Sequence, residues 1–267
     1  MISGATRVFA ILGDPVAHSL SPALQNAAFR VLGLPAVYVA LRCPPADVAG
    51  LIRALSHAGG GGNVTVPHKE VAAESVDRPC PIVERLGACN TFWGDDGASV
   101  GDNTDVPGLL AALDDLGAPE GAWLVIGTGG GARAAVGAAR ERGAAVAVSS
   151  RTSERRAAFE RWMTTQGVDT ADAGACRVLI NTTPLGLDPR DPLPLPPPPP
   201  PAAGVALDMV YARGETMWTR AMRAAGLRAA DGRAMLVAQG ASALERWFPG
   251  VDAPVEVMRA AVDAELR

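Results

Sequence analysis

Short apolar runs alternate with amphipathic stretches along the whole chain, and Gly or Pro marks nearly every change of period. Val8–Leu12 is an unbroken apolar run that stops at Gly13-Asp14-Pro15, the pattern of a buried strand ending in a turn. Ser21 followed by Pro22 predicts a helix start, with the serine hydroxyl capping and proline in the first helical position. Gly33 predicts its end. Ala36–Leu41 reads as a second strand. Pro45–Ala58 reads as a helix, because Val48, Leu51, Ile52 and Leu55 recur at helical spacing. Gly59 to Gly62 lead into a short strand at Asn63–Val66, which Pro67 terminates. This alternation of strand and helix favours a parallel sheet.

Near residue 105 the pattern restarts. A helix at Val106–Leu116 precedes a strand at Ala122–Ile126, which runs into Gly127-Thr128-Gly129-Gly130-Gly131-Ala132. A helix at Ala132–Arg142 and a strand at Ala144–Ser149 complete a βαβ unit that opens a second domain. Further strands are expected at Arg177–Asn181 and Val205–Met209. Leu193–Pro201 is mostly proline and predicts an extended, solvent-exposed, stiff connector. Helices at Thr216–Ala225, Met235–Trp247 and Val255–Leu266 close the chain. The fold class is therefore α/β, and no repeat of solenoid length is visible.

Composition narrows the function. The 267 residues are 48% hydrophobic and 19% charged, ample for packed cores and too apolar for a disordered chain. A net charge of −4 excludes a global positive field for nucleic acid or an anionic membrane. No apolar stretch is long enough for a membrane span, and the N-terminus shows no signal peptide. Cys43, Cys80, Cys89 and Cys176 form no CxxC pair and no metal-like spacing with the 3 histidines, so free thiols in a cytoplasmic protein without a metal site are expected. Of the 24 basic residues only Lys69 is lysine. In a chain this rich in arginine, a lysine that must lose and regain a proton is the kind that cannot be exchanged, because arginine stays protonated.

Candidate chemistry falls into two groups. Gly127-x-Gly129-x-x-Ala132 follows a predicted strand and opens a predicted helix, where glycines let a pyrophosphate approach backbone N–H groups at a helix N-terminus. The next strand ends Ser150-Arg151-Thr152-Ser153-Glu154-Arg155 with no acid at its tip. Arg151 and Arg155 are spaced to meet a 2′-phosphate, which favours NADP over NAD. In the N-terminal half, Ser19 and Ser21 lie at a helix start that suits a substrate carboxylate. Thr65, Asn90-Thr91 and Asn103-Thr104-Asp105 add polar groups at strand ends. Lys69 with Asp105 makes a proton-handling pair, although Asp105 could instead simply cap the helix beginning at Val106.

At this point the segments 13–22 (GDPVAHSLSP), 63–69 (NVTVPHK), 87–91 (GACNT), 101–105 (GDNTD), 181–186 (NTTPLG), 208–211 (DMVY) and 235–239 (MLVAQ) closely resemble the shikimate dehydrogenase family. They occur in the family's order and span nearly the whole chain. All five asparagines lie in or beside them, as does the single lysine. The resemblance implies two domains with a cleft: an α/β substrate-binding domain from 1–105 plus 235–267, to which the C-terminal helices return, and a Rossmann-like NADP-binding domain from 106–234. It implies that Ser19, Ser21, Thr65, Lys69, Asn90, Asp105, Tyr211 and Gln239 contact shikimate, with Lys69 as catalytic acid/base and Asp105 as its partner. Gly127, Thr128, Gly129, Gly130, Gly131, Ser150, Arg151, Thr152, Arg155, Met209 and Gly232 would line the NADP site. The chain departs from the family pattern at Gln25, where histidine is frequent, and at Ser150, where asparagine is usual.

The implied activity is reversible, NADPH-dependent reduction of 3-dehydroshikimate to shikimate, a step toward chorismate and the aromatic amino acids, by a cytoplasmic monomer or homodimer. Two rivals remain open. A quinate/shikimate dehydrogenase with relaxed cofactor use would be favoured by an acid at Ser150 or Arg151. A catalytically silent nucleotide-binding regulatory module would be signalled by loss of Lys69 or Asp105, and both are present.

Overall fold

The computed structural model describes residues 2–188 and 190–267, which form two compact units. The first comprises residues 1–108 and 236–265, the second 109–235 and 266–267. In chain order the first opens with β1 (Arg7–Gly13), α1 (Ser21–Val31), β2 (Ala36–Arg42), α2 (Val48–His57), β3 (Gly61–Val64) and α3 (Lys69–Ser75). It continues with β4 (Arg78–Pro79), α4 (Pro81–Leu86), β5 (Thr91–Asp95), β6 (Ala98–Asp102) and α5 (Asp105–Asp115). Its sheet runs β2-β1-β3-β5-β6-β4. Strands β1, β2 and β3 are parallel, but β5 is antiparallel to both β3 and β6. The expected all-parallel sheet is thus wrong here. The overlooked signal is Asp96-Gly97 between two apolar-alternating runs: both residues have positive φ, 47° and 74°, which is the turn chemistry of a tight hairpin.

Several boundaries also shift for physical reasons. The third strand is Gly61–Val64, so Gly61 and Gly62 lie within it instead of leading into it. They are needed there, since a side chain at Gly62 would overlap the Ala10 backbone on β1 and one at Gly61 the Phe92 backbone on β5. Ser21 does not cap α1. The cap position is Leu20, without a side-chain bond, and the Ser21 amide instead donates to Ser19 Oγ at 3.3 Å. On the same helix, Asn26 donates from Nδ2 to the Tyr38 carbonyl at 2.8 Å and accepts from the Tyr38 amide at 2.9 Å, so its carboxamide lies flat against β2. Beneath the sheet, Leu12, Val48, Ile52, Val64, Val83 and Phe92 form one core.

The second unit contains β7 (Trp123–Ile126), α6 (Gly130–Arg142), β8 (Val146–Ser149), α7 (Ser153–Thr165), β9 (Val178–Asn181), β10 (Val205–Asp208), α8 (Met217–Ala224) and β11 (Arg228–Ala230). Its sheet, ordered β11-β10-β9-β7-β8, is parallel throughout, a doubly wound Rossmann-like arrangement. Every residue of β7, β9 and β10 is buried, as expected for strands covered on both faces. The proline tract is a further correction. Leu193 and Leu195 pack against the core made by Leu124, Leu179, Trp218 and Met222, and the Leu195 carbonyl accepts from the Trp218 indole at 3.0 Å. The tract is therefore anchored at its leucines, and only part of it is exposed.

Helices α9 (Arg233–Trp247) and α10 (Val255–Glu265) return the chain to the first unit from Leu236 onward. Trp247 stacks near Phe9 and Tyr38, with ring centroids 4.8 and 5.9 Å apart, and its indole donates to the Phe92 carbonyl at 3.2 Å. Arg246 pairs with buried Asp102 at 2.7 Å. Aromatic burial and one sheltered ion pair thus fix α9 beside β6.

Candidate active site

Lys69 is the first residue of α3, and the turn before it is held from below. His68 is buried, and its Nε2 lies 2.9 Å from the Cys43 carbonyl, so that nitrogen carries the proton. The Lys69 carbonyl accepts from the Cys89 amide at 2.8 Å. With both ends fixed, the lysine Nζ reaches Asp105 Oδ2 at 2.6 Å, and the two side chains are only 14% and 7% exposed. Asp105 is inside α5, not capping it. The amides of Asp105 and Val106 donate to Asn103 Oδ1 at 3.1 and 3.3 Å, which frees the Asp105 carboxylate for the lysine. The pairing expected from the sequence is therefore made, and the capping alternative falls to Asn103.

The first unit also carries a buried hydrogen-bond network that includes two of the other candidates, Asn90 and Ser21, while Thr65 and Gln239 are held separately. Asn90 Nδ2 donates to Thr104 Oγ1 at 3.1 Å, and Asn90 Oδ1 accepts from the Thr104 amide at 2.7 Å. Asn63 Nδ2 donates to the Asn90 carbonyl and to Thr91 Oγ1, and Asn63 Oδ1 accepts from the Tyr38 hydroxyl at 2.7 Å. That phenol is also hydrogen-bonded to Ser21, and burial holds its pKa well above the ordinary value. Thr65 lies one residue past β3, its amide donating to the Leu12 carbonyl at 2.8 Å. Gln239, on α9, is buried against Gly108, one turn into α5, and donates from Nε2 to the Leu236 carbonyl at 2.8 Å. Asn90 and Gln239 each retain a second N–H on the same amide nitrogen. Sequence reasoning did not single out Tyr38, one of only two tyrosines, whose buried hydroxyl links Asn63 to Ser21. Gln25 is fully buried, and its Nε2 donates to the Gly240 carbonyl, holding α9 next to Gln239.

In the second unit the glycine turn links β7 to α6, as the spacing predicts. Gly127 has φ +119°, and a Cβ there would meet Thr182 Oγ1 at 2.5 Å. Gly129 caps α6, is exposed, and has nothing within 4 Å of where its Cβ would sit. Gly131 sits under Met209, with Sδ 3.3 Å from a Cβ position, and Thr128 completes the turn. Open backbone amides at the start of a 13-residue helix are what a dinucleotide's pyrophosphate requires, so these residues fit that group. Ser150 is half-buried with its Oγ accepting from the Thr152 amide at 3.4 Å, and Thr152 precedes α7. Arg151 and Arg155 are exposed, Arg155 in the first turn of α7. Glu154 is held below the usual carboxylate range by its own helix-start amide. Met209 follows β10, Gly232 follows β11 with no room for a side chain over the Met209 carbonyl, and Tyr211 is half-buried three residues beyond β10.

The four thiols are free, and burial raises the pKa of each, to about 12 for Cys89. Among the described residues no cluster of three or more His, Cys, Asp or Glu could hold a metal, and no helix is long and apolar enough to cross a membrane.

Known proteins resemble this chain in both sequence and fold. Residues 11–92 match the shikimate dehydrogenase substrate binding domain, and residues 232–262 match the shikimate 5′-dehydrogenase C-terminal domain. The chain is 39% identical to shikimate dehydrogenase (NADP(+)) of Methylocella silvestris, covering 100% of this chain and 99% of that one. It is 40% identical to the same enzyme of Thermus thermophilus over 90% and 91% of the two chains. Among solved structures, shikimate 5-dehydrogenase of Thermus thermophilus in complex with NADP(H) and shikimate superposes with a TM-score of 0.85 at 37% identity, covering 99% of each chain. A shikimate dehydrogenase in complex with NADP+ superposes with a TM-score of 0.87 at 30% identity, over 100% and 98%.

Proposed function

The chain belongs to the shikimate dehydrogenase family, and on that premise we propose that it interconverts 3-dehydroshikimate and shikimate with NADP as cofactor, using Lys69 as the acid/base. One observation carries the assignment of chemistry to residues: the only lysine of the chain lies 2.6 Å from a sheltered carboxylate. The first unit is the substrate-binding and catalytic domain, and the second binds NADP. When bound, the nicotinamide supplies the hydride.

Lys69 Nζ donates to the ring oxygen and gives it a proton during reduction, then takes that proton back during oxidation. Asp105 keeps the ammonium aimed. Ser19 and Ser21, at the start of the 11-residue α1, receive the substrate carboxylate, where the helix N-terminus favours negative charge. The spare N–H groups of Asn90 and Gln239, with the hydroxyls of Thr65 and Tyr211, meet the ring hydroxyls. Gly127 to Gly131 would hold the pyrophosphate of NADP, Met209 and Gly232 would lie by the nicotinamide, and Ser150, Arg151, Thr152 and Arg155 would receive the phosphorylated ribose. The enzyme acts in the cytoplasm as a monomer or homodimer on small molecules alone, and its net charge of −4 supports the absence of a nucleic-acid partner.

A spectrophotometric assay with shikimate or quinate, each with NADP+ or NAD+, tests this reading. Reduction of NADP+ dependent on shikimate is expected. Equal rates with NAD+ or with quinate would favour the broader quinate/shikimate activity, and no turnover with any pair would refute the assignment.

A further inference from the structure

We infer that Asp208, itself fully buried, is a positioning residue for the glycine turn of the cofactor site. The inference rests on the function proposed above. Asp208 is completely buried at the carboxyl end of β10. Its carboxylate accepts three hydrogen bonds from three different segments. Oδ1 takes Asn181 Nδ2 at 2.8 Å, from the end of β9, and the Val210 amide at 3.1 Å; Oδ2 takes the Thr216 hydroxyl at 2.8 Å, from the cap of α8.

Asn181 then shapes the turn that follows it. Its Oδ1 accepts from the Thr183 amide at 3.0 Å and from the Thr183 hydroxyl at 2.7 Å, and its Nδ2 also reaches the Leu185 carbonyl at 3.2 Å. Its own carbonyl accepts from the Met209 amide at 2.9 Å. The neighbouring Thr182 donates to the Ile126 carbonyl at 2.8 Å and crowds Gly127, while Met209 Sδ and Thr182 Cβ bracket Gly131. One buried carboxylate therefore sets both loops that stand against the glycine turn. Carboxylate suits the position because it can accept all three bonds and brings no donor of its own.

The test uses the full-length enzyme and needs no turnover for its main readout: NADPH is titrated by its own fluorescence, alongside steady-state kinetics and thermal melting. Asp208→Ala should raise the NADPH Kd and the KM for NADP+ at least tenfold, with the shikimate KM within twofold. Asp208→Asn keeps an oxygen for Asn181 and Val210 and should stay within threefold of the parent. Thr216→Val removes only the Oδ2 partner and one helix cap, so it provides a folded variant if Asp208→Ala does not fold. It should raise the NADPH Kd about threefold, and Thr216→Ser should restore it. An NADPH Kd unchanged in Thr216→Val and in any folded Asp208→Ala protein would overturn the inference. So would Asp208→Asn binding as weakly as Asp208→Ala. Failure of the parent enzyme to bind NADPH would instead overturn the proposed function.

Discussion

Replacing Lys69 by arginine separates proton transfer from charge. Arginine keeps a cation beside Asp105 but does not give up its proton near neutral pH. The parent pair is 2.6 Å apart with exposures of 14% and 7%, so the countercharge matters for folding as well as for catalysis. Loss of general acid/base transfer is typically worth ~10²–10⁴ in rate, or about 2.7–5.4 kcal/mol of barrier. Lys69→Arg should therefore lower kcat by that factor and leave Tm nearly in place. Lys69→Met lowers kcat as far and also strands a buried carboxylate. Breaking a fully buried pair costs about 3–5 kcal/mol. The residual exposure of Lys69 puts this case near 3, a Tm drop of roughly 6–12 °C. Stopped-flow or steady-state kinetics at saturating shikimate, paired with circular-dichroism melting, read both quantities. A Lys69→Arg enzyme retaining kcat within tenfold of the parent would refute proton transfer by this residue.

Other outcomes follow from the same geometry. Arg151→Ala should weaken NADP+ roughly tenfold, at the low end for a charge-assisted contact because the side chain is exposed, and leave NAD+ nearly unchanged; equal weakening of both cofactors would move the phosphate contact to Arg155. Ser21→Ala should raise the shikimate KM and lower stability by about 1 kcal/mol, since it removes a buried partner of Tyr38. Ser19→Ala loses only a long 3.3 Å bond to an amide and should act on KM with little change in Tm; the reverse ranking of the two melting points would contradict this division. Burial raises the Asp208 carboxyl from 3.8 to about 6, so between those values the folded chain holds a proton that the unfolded chain has released. Its stabilising effect is complete below pH 4 and lost as pH rises through 6, about 3 kcal/mol in all. Urea midpoints at several pH values should show that slope in the parent and not in Asp208→Asn.

The chemistry was easier to read from the chain than the first sheet. The glycine turn, the Lys69–Asp105 pair and the strands of the second unit follow from local signals: a fixed glycine spacing, a solitary lysine, and apolar runs with no polar face. The β5–β6 hairpin escaped because strand-helix alternation was extended across a segment whose Asp96-Gly97 turn argued otherwise. Ser21 was assigned a cap because Ser-Pro usually is one. The helix instead starts at the serine itself, and a tyrosine seventeen positions later claims its hydroxyl. Gln25 bonds to Gly240, Tyr38 to Asn63 and Asp208 to Asn181, pairings across distant segments that only the folded chain discloses. The same is true of the proline tract, where two interspersed leucines find a core that composition alone does not reveal.

The Asn26 carboxamide has a consequence for how copies of this chain meet in solution. Strand β2 ends its sheet and carries neither proline nor lysine, so it would offer a template for strand addition by a second molecule. At Tyr38, near the middle of that edge, the donor and the acceptor an incoming strand would seek are both occupied by one side chain from α1. Asn26 thus stands in for a neighbouring strand at this single residue, and the edge is closed there to strand addition by an amide that belongs to a helix.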